Sequence, residues 1–360
     1  MYRLTIDQLK PGLIIKQPVY DPNYNMMIKK NTKLNEHLID SIVFYGYRAL
    51  FVDNDETHFL TIEHFEKKWP KDEMEFLLKY LQDAYKDLEN YFNRKQYNDS
   101  VQLFKKYAKR RDESILKLTK IAEDIIVFLM HNQVKALHIL ETKSIPLYTY
   151  QHAIQTAIIS SLMGIRLKLS MTEIKILLLS SLIMEISNVT IPKHILFKED
   201  SLSDGDFNEI KKHTFVCYEE FSDCTPLHYL VKLVCLQHHE KYDGSGYPKG
   251  LKGEEIHFLA RLISVADSFD ALISDRSQRS GYSIPEALKI LESQSNITYS
   301  KDMVDLLKSV IYPYSIGEQI SLNIGKAIVV GYDEDTNPIL EILHLKKKII
   351  LHPNSTVSPT

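Results

Sequence analysis

The middle of the chain is written on a helical period. In SMTEIKILLLSSLIMEI, TPLHYLVKLVCLQHHE, HFLARLISVADSFDALIS and IPEALKILES, apolar residues recur three and four apart between short polar breaks, the spacing that gathers one face of an α-helix. Ser170 and Glu173 stand in capping-box spacing, which predicts a helix start there, and Pro285 suits the first turn of the last helix. Upstream, EMEFLLKYLQDAYKDLENYFNRK and ESILKLTKIAEDIIVFLMHN mix charged and apolar positions on the same period, with no glycine between Gly46 and Gly164. Such helices either connect modules or form a homodimer surface, and the pattern leaves both open.

The two ends change period. LTIDQLKPGLIIKQPVYD and MMIKKNTKL read as short strands around Pro11-Gly12 and Pro22-Asn23 turns, NEHLIDSIVFYGY as a helix closing near Gly46, and YRALFVD as a strand. YPYSIGEQISLNIGKAIVVGYDEDTNPILEIL alternates β-branched runs with Gly and Asp-Asn turns. The expected fold is mainly α: a helical bundle domain over 136–305, a small α+β module at 1–60, a helical connector at 61–135, and a small β appendage with a tail at 306–360. A length of 360 residues, more than one core usually serves, agrees with several modules.

Charge narrows the partners. With 44 Lys+Arg against 47 Asp+Glu the net charge is −3, so there is no basic footprint for a nucleic-acid polymer, and any phosphate recognition is local. No apolar run reaches about 18 uncharged residues, so no membrane span is expected. MYRLTIDQLKPG lacks the apolar core of a signal peptide, and Cys217, Cys224 and Cys235 are odd in number with no C-x-x-C pair. Free thiols in a reducing cytoplasm are the expectation.

The chemistry concentrates in the helical middle. HHEKYDGSGYP places His238 and His239 just before a glycine-rich turn. His152, Glu185, His213, Asp267 and Asp270 lie on or at the ends of the neighbouring apolar helices. Imidazoles and carboxylates together suit a divalent ion such as Mn, Fe or Zn. Ionisable groups on apolar helices are costly unless paired or metal-bound, which makes the concentration informative. A lone helical histidine is more often a satisfied or exposed side chain than a ligand, and His194, His228 and His257 are read that way.

The stretch HHEKYDGSGYPKGLKGEEIHFLARLISVADSFDAL resembles the diagnostic segment of the HD-GYP family, a helical branch of the HD metal-dependent phosphohydrolases whose characteristic substrate is cyclic di-GMP. PGLIIKQPVYD with IKKNTKL is similar to a small module often found before this domain, and the β appendage to a tail often found after it. The resemblance implies an HD-type bundle in which His152, His213, His238, His239 and Asp267 are metal ligands and Asp270 supports them. It implies that Gly246, Tyr247 and Pro248 shape the ligand pocket and a loop facing a protein partner. It also implies that Arg276 and Arg279 hold phosphates, for which a guanidinium is suited by its paired donors.

The chain departs from the family where the family is named. The adjacent His-Asp pair followed by I-G-K is here Met184-Glu185-Ile186-Ser187-Asn188. A thioether replaces a ligand imidazole, the bridging carboxylate gains a methylene, and an amide replaces a lysine ammonium. Tyr148 stands where some members carry an extra glutamate ligand. Glu185 and Asn188 are thus the degenerate catalytic positions, and any metal is expected to be weakly held. Three functions follow: a module that binds cyclic di-GMP, a related nucleotide or a partner with little turnover, a residual metal-dependent phosphodiesterase, and a scaffold that binds neither metal nor nucleotide. The retained histidines speak against the scaffold, and Met184 and Asn188 against the enzyme.

Overall fold

The computed structural model describes residues 2–53 except 7–8, 16–18, 21–25 and 45–48; residues 81–91 and 101–131; and residues 148–352 except 197, 199–200, 275–280, 315–316 and 334–335. The Pro22-Asn23 turn and the end of the helix near Gly46 lie outside these residues.

At the N-terminal end, β1 (Tyr2–Thr5), β5 (Ala49–Asp53) and β2 (Ile14–Ile15) pair antiparallel in the order β1-β5-β2. Strands β3 (Val19–Tyr20) and β4 (Met26–Ile28) form a second antiparallel pair, and α1 spans Glu36–Phe44. Their shared core includes Ile15, Val19, Ile28, Ile42, Leu50 and Val52. The expected Pro11-Gly12 turn is present, and Gly12 carries it at φ +100, a conformation that a side chain resists.

The helical part begins with α2 (residues 81–91) and α3 (Val101–His131). It continues through α4 (Tyr148–Arg166), α5 (Met171–Ile183), α6 (Lys193–Leu196), α7 (Asp204–Glu220) and α8 (Tyr229–Gln237). Helices α9 (Phe258–Ile273), α10 (Ile284–Ser293) and α11 (Lys301–Lys308) complete it. Ser170 starts α5 through the capping box read from the sequence: its hydroxyl accepts from the Glu173 amide at 3.3 Å, and the Glu173 carboxylate accepts from the Ser170 amide at 2.8 Å. His228 and His257, expected to have no site role, are N-cap residues of α8 and α9, each accepting an amide two residues on at 3.2 Å.

A continuous apolar cluster runs from Leu81 to Ile311, so α2 and α3 pack into the same core as α4, α5 and α7 to α11. An amphipathic pattern reports a helix's apolar stripe but not what covers it, and here the covering helices are those of the bundle. Arg111 on α3 is buried; its guanidinium donates to the Tyr91 hydroxyl at 3.1 Å, the Glu220 carbonyl at 2.9 Å and the Asp223 carboxylate at 2.6 Å, tying α3 to the end of α7. The Tyr85 hydroxyl donates to the Leu182 carbonyl at 2.6 Å, just where α5 ends.

Strands β6 (Gln319–Leu322), β7 (Gly325–Tyr332), β8 (Pro338–Ile342) and β9 (Lys347–Ile350) form an antiparallel meander in chain order. Alternate residues Ile320, Leu322, Ala327, Val329, Leu340 and Ile342 face its core, the period of two that a strand imposes. Every described strand pair is antiparallel, and the described residues of 148–311 hold no sheet, as a helical domain requires.

Ser170→Ala removes one half of a capping box on a helix that lies inside the core. It is expected to cost ~1 kcal/mol, read as a fall of about 2–4 °C in the helical melting temperature by circular dichroism.

Candidate metal and nucleotide site

The site forms where α5 stops. Met184 still donates its amide to the Ser180 carbonyl at 2.8 Å, and the chain then tightens into a 3-10 turn, Ile186–Thr190. The two neighbours part company there. Met184 is fully buried in the apolar cluster, whereas the Glu185 carboxylate reaches a group of histidines. Glu185 Oε1 lies 3.4 Å from His238 Nε2 and 3.8 Å from both His213 Nε2 and His239 Nε2. One ligand atom from each of these four residues lies within 4.8 Å of the others.

The hydrogen-bond partners decide what this group can hold. His213 Nδ1 lies 2.6 Å from the Ile210 carbonyl, and His238 Nδ1 lies 2.7 Å from the Cys235 carbonyl. A carbonyl only accepts, so each Nδ1 carries the proton and each Nε2 of the neutral ring presents a lone pair. His213 Nε2 is a buried nitrogen with no hydrogen-bond partner. Lone pairs facing a carboxylate leave a centre of acceptors without a donor, which a cation satisfies. Burial pushes the His213 and His239 rings down, His239 to about 3, which keeps them neutral. Without an ion a proton can fill the same place: burial alone would push the Glu185 carboxyl up, but hydrogen bonds from His238 and His239 and the charge of a protonated ring outweigh it and hold that carboxyl well below its ordinary value. The residues therefore fit a divalent ion, which Glu185, His213, His238 and His239 would hold.

Asp267 and His152, expected in the same group, turn to each other instead. His152 on α4 contacts Asp267 Oδ1 through Nε2 at 2.9 Å and Asp270 Oδ2 through Nδ1 at 2.6 Å. Asp267 and Asp270 are three apart on α9, so both face α4. Each ring nitrogen of His152 thus faces a carboxyl group, and the trio forms a buried hydrogen-bonded chain. Burial would raise the Asp267 carboxyl, yet the His152 bond and charge hold it well below the usual range. Asp267 acts on the histidines at longer range, through its charge on His213 and His239.

The glycine-rich loop walls the site. The Tyr247 ring packs on His239 with centroids 4.8 Å apart and lies 6.3 Å from His213. Its amide donates to the His239 carbonyl at 3.2 Å, folding the loop back over the histidine pair. A Cβ on Gly246 would collide with the backbone of His239, Glu240 and Lys241, so only glycine fits. Glu240 is a residue to which the sequence motifs assign no role. It is buried, and its carboxylate accepts the Lys249 amide at 2.7 Å and the Leu251 amide at 3.0 Å, holding the far side of the loop. A glutamate before a turn whose amides need acceptors is the signal that would have found it. Asn188 donates from Nδ2 to Glu185 Oε2. Tyr148 is the first residue of α4, and Arg276 and Arg279 lie outside the described residues. The described cysteines Cys217, Cys224 and Cys235 are buried free thiols.

His213→Ala removes the ligand whose nitrogen lacks any other partner. Elemental analysis of purified protein is expected to show metal per chain falling at least ~10-fold, in line with the strength of single ligand contacts. Gly246→Ala, which acts only through the backbone, is expected to lower metal content as well by displacing His239 and Tyr247.

Residues 135–302 match the family described as "HD domain". The chain is 28% identical over 210 residues to a cyclic di-GMP phosphodiesterase of Pseudomonas aeruginosa, covering 58% of this chain and 50% of that protein. It is 35% identical over 150 residues to a cyclic di-GMP phosphodiesterase response regulator of Xanthomonas campestris, covering 41% and 40%. It is 30% identical over 202 residues to a cyclic di-GMP phosphodiesterase of Thermotoga maritima, covering 55% of each. The chain spans about half the length of the curated relatives it matches. The paired histidines, the glycine-tyrosine-proline loop and the helical bundle lie within residues 135–302, the stretch that matches the HD domain family.

Proposed function

We propose that this chain is a cytoplasmic cyclic di-GMP-binding protein whose inherited phosphodiesterase centre holds a divalent ion and turns nucleotide over little. The observation that carries the reading is Met184, fully buried among apolar side chains at the position where the family resemblance puts a ligand histidine. A thioether is a soft, uncharged donor and serves Mn, Fe or Zn poorly compared with imidazole. Asn188 adds to the defect. It brings no positive charge, and its amide engages Glu185 Oε2, the oxygen a bridging carboxylate would offer to a second ion. Of the other ligands that the resemblance implies, His152 and Asp267 bond each other, with the supporting Asp270 on the second ring nitrogen.

A bound ion supplies Lewis acidity toward a phosphoryl oxygen and lowers the pKa of bound water. The chain's own part is to position it and the nucleotide. Glu185, His213, His238 and His239 are the donors, Tyr247 closes one side against water, and Arg276 and Arg279 hold phosphate. Two-metal hydrolysis needs ions about 3.5–4 Å apart, both clamped. Loss of one ligand and one cation acts on that same step.

The second reading is a residual metal-dependent cyclic di-GMP phosphodiesterase. It is favoured by the complete four-donor cluster and by the activity named for the relatives.

Calorimetric titration is expected to detect cyclic di-GMP binding. Turnover on the same metal-characterised sample is expected to fall ~100-fold or more below that of a protein carrying the His-Asp pair. Robust turnover that disappears on Glu185→Ala would sink the binding reading in favour of the enzyme. Arg276→Ala together with Arg279→Ala is expected to abolish binding with an unchanged melting curve. Met184→His with Glu185→Asp is expected to raise metal content, and an unchanged content would count against the assigned motif alignment.

A further inference from the structure

One ammonium on another element stands close to the donor cluster. Phe207 and Lys211 are one turn apart on α7, and Lys211 Nζ lies 4.5 Å from the centre of the Phe207 ring. The same ammonium lies 5.8 Å from the centre of the Tyr247 ring. Phe207 and Tyr247 meet edge to face, with centroids 5.9 Å apart at 84°. Since Tyr247 also packs on His239 at 4.8 Å, a single ring separates the ammonium from the metal donors.

Lys211 differs from its neighbours in what it pairs with. Lys212 bonds Glu209 at 2.5 Å and Lys198 bonds Asp206 at 2.6 Å. Lys211 has no carboxylate partner among the described residues, and its charge rests over two aromatic faces. Such contacts restrict a flexible four-carbon stem, so less order is lost when an anion binds. The rings also lower the local dielectric, which strengthens attraction between the ammonium and a phosphate. With a net charge of −3 the chain offers no general pull on a dianionic ligand, so a placed cation matters.

We propose, building on the reading of this chain as a cyclic di-GMP-binding protein, that Lys211 is a phosphate-binding residue of the nucleotide site. It holds the second phosphate of the cyclic dinucleotide, the one that does not sit at Glu185 and its three histidines. A cyclic dinucleotide carries two phosphates on one macrocycle, so its recognition calls for two separated anion subsites. Tyr247 stands between them, and Phe207 with Tyr247 positions the ammonium.

The test is calorimetric titration of the full chain with cyclic di-GMP at two salt concentrations. The chains compared are the natural sequence, Lys211→Met, Lys211→Arg and Lys212→Met, with melting curves for each. Methionine keeps the length and apolar stem of the half-buried Lys211, and arginine keeps the charge. Lys211→Met is expected to raise Kd ~10-fold or more and to flatten its salt dependence. Lys211→Arg is expected to bind within a few-fold of the natural sequence, and Lys212→Met like it. Natural-strength binding by Lys211→Met would overturn the phosphate subsite and leave the cyclic di-GMP reading standing. An equal loss in Lys212→Met would also overturn it, since the effect would then be one of general charge. A natural chain that does not bind cyclic di-GMP would overturn the reading and the subsite together.

Discussion

Three imidazole nitrogens and one carboxylate oxygen meet at the end of α5, and two of those imidazoles have already committed their protons to backbone carbonyls. What remains at the centre is a set of acceptors. In a low-dielectric interior such a set is unfavourable unless a cation or proton fills it. The helix ends, the glycine-rich loop and the packing beneath them all serve this arrangement. The i−3 carbonyls of Ile210 and Cys235 fix the tautomers, Glu240 gathers the loop amides, and Gly246 lets the loop backbone lie against the histidine pair.

The same geometry bears on the two residues that flank this centre, Met184 and Asn188. The residue next to Glu185 is a methionine inside the apolar cluster, where it contributes packing. Burying a side chain of that kind stabilises the core by roughly 1.5–3 kcal/mol. The position three residues on is an amide that bonds Glu185 and restrains its carboxylate. Each residue suits a site that grips one partner steadily better than one that must stabilise developing charge.

The bundle and the site also depend on the upstream helices. Tyr85 accounts for the Leu182 carbonyl at the end of α5, two residues from the ligand-free Met184, and Arg111 anchors α3 against the end of α7, which carries His213. Shifts in α2 or α3 would therefore bear on both elements that supply ligands. This follows from continuity of one apolar core and does not require a separate signalling path.

Much of this protein could be read from the order of its residues. The helical period of the middle, the Ser170 cap, the Pro11-Gly12 turn and the alternating β appendage are local patterns, and each produced the element it implied because local geometry alone dictates it. The motif around His238, His239 and Tyr247 pointed to the histidine–glutamate cluster, because a donor's chemistry is a property of the residue. Which donors meet was decided only in three dimensions. Asp267 and His152 pair with each other because α9 lies against α4, and no spacing along the chain reports that contact. Lys211 comes to rest over Phe207 and Tyr247 because the loop folds back on α7, and the apolar stripes of α2 and α3 found their cover in the bundle. Periodicity states which face of a helix must be buried; tertiary packing alone states against what.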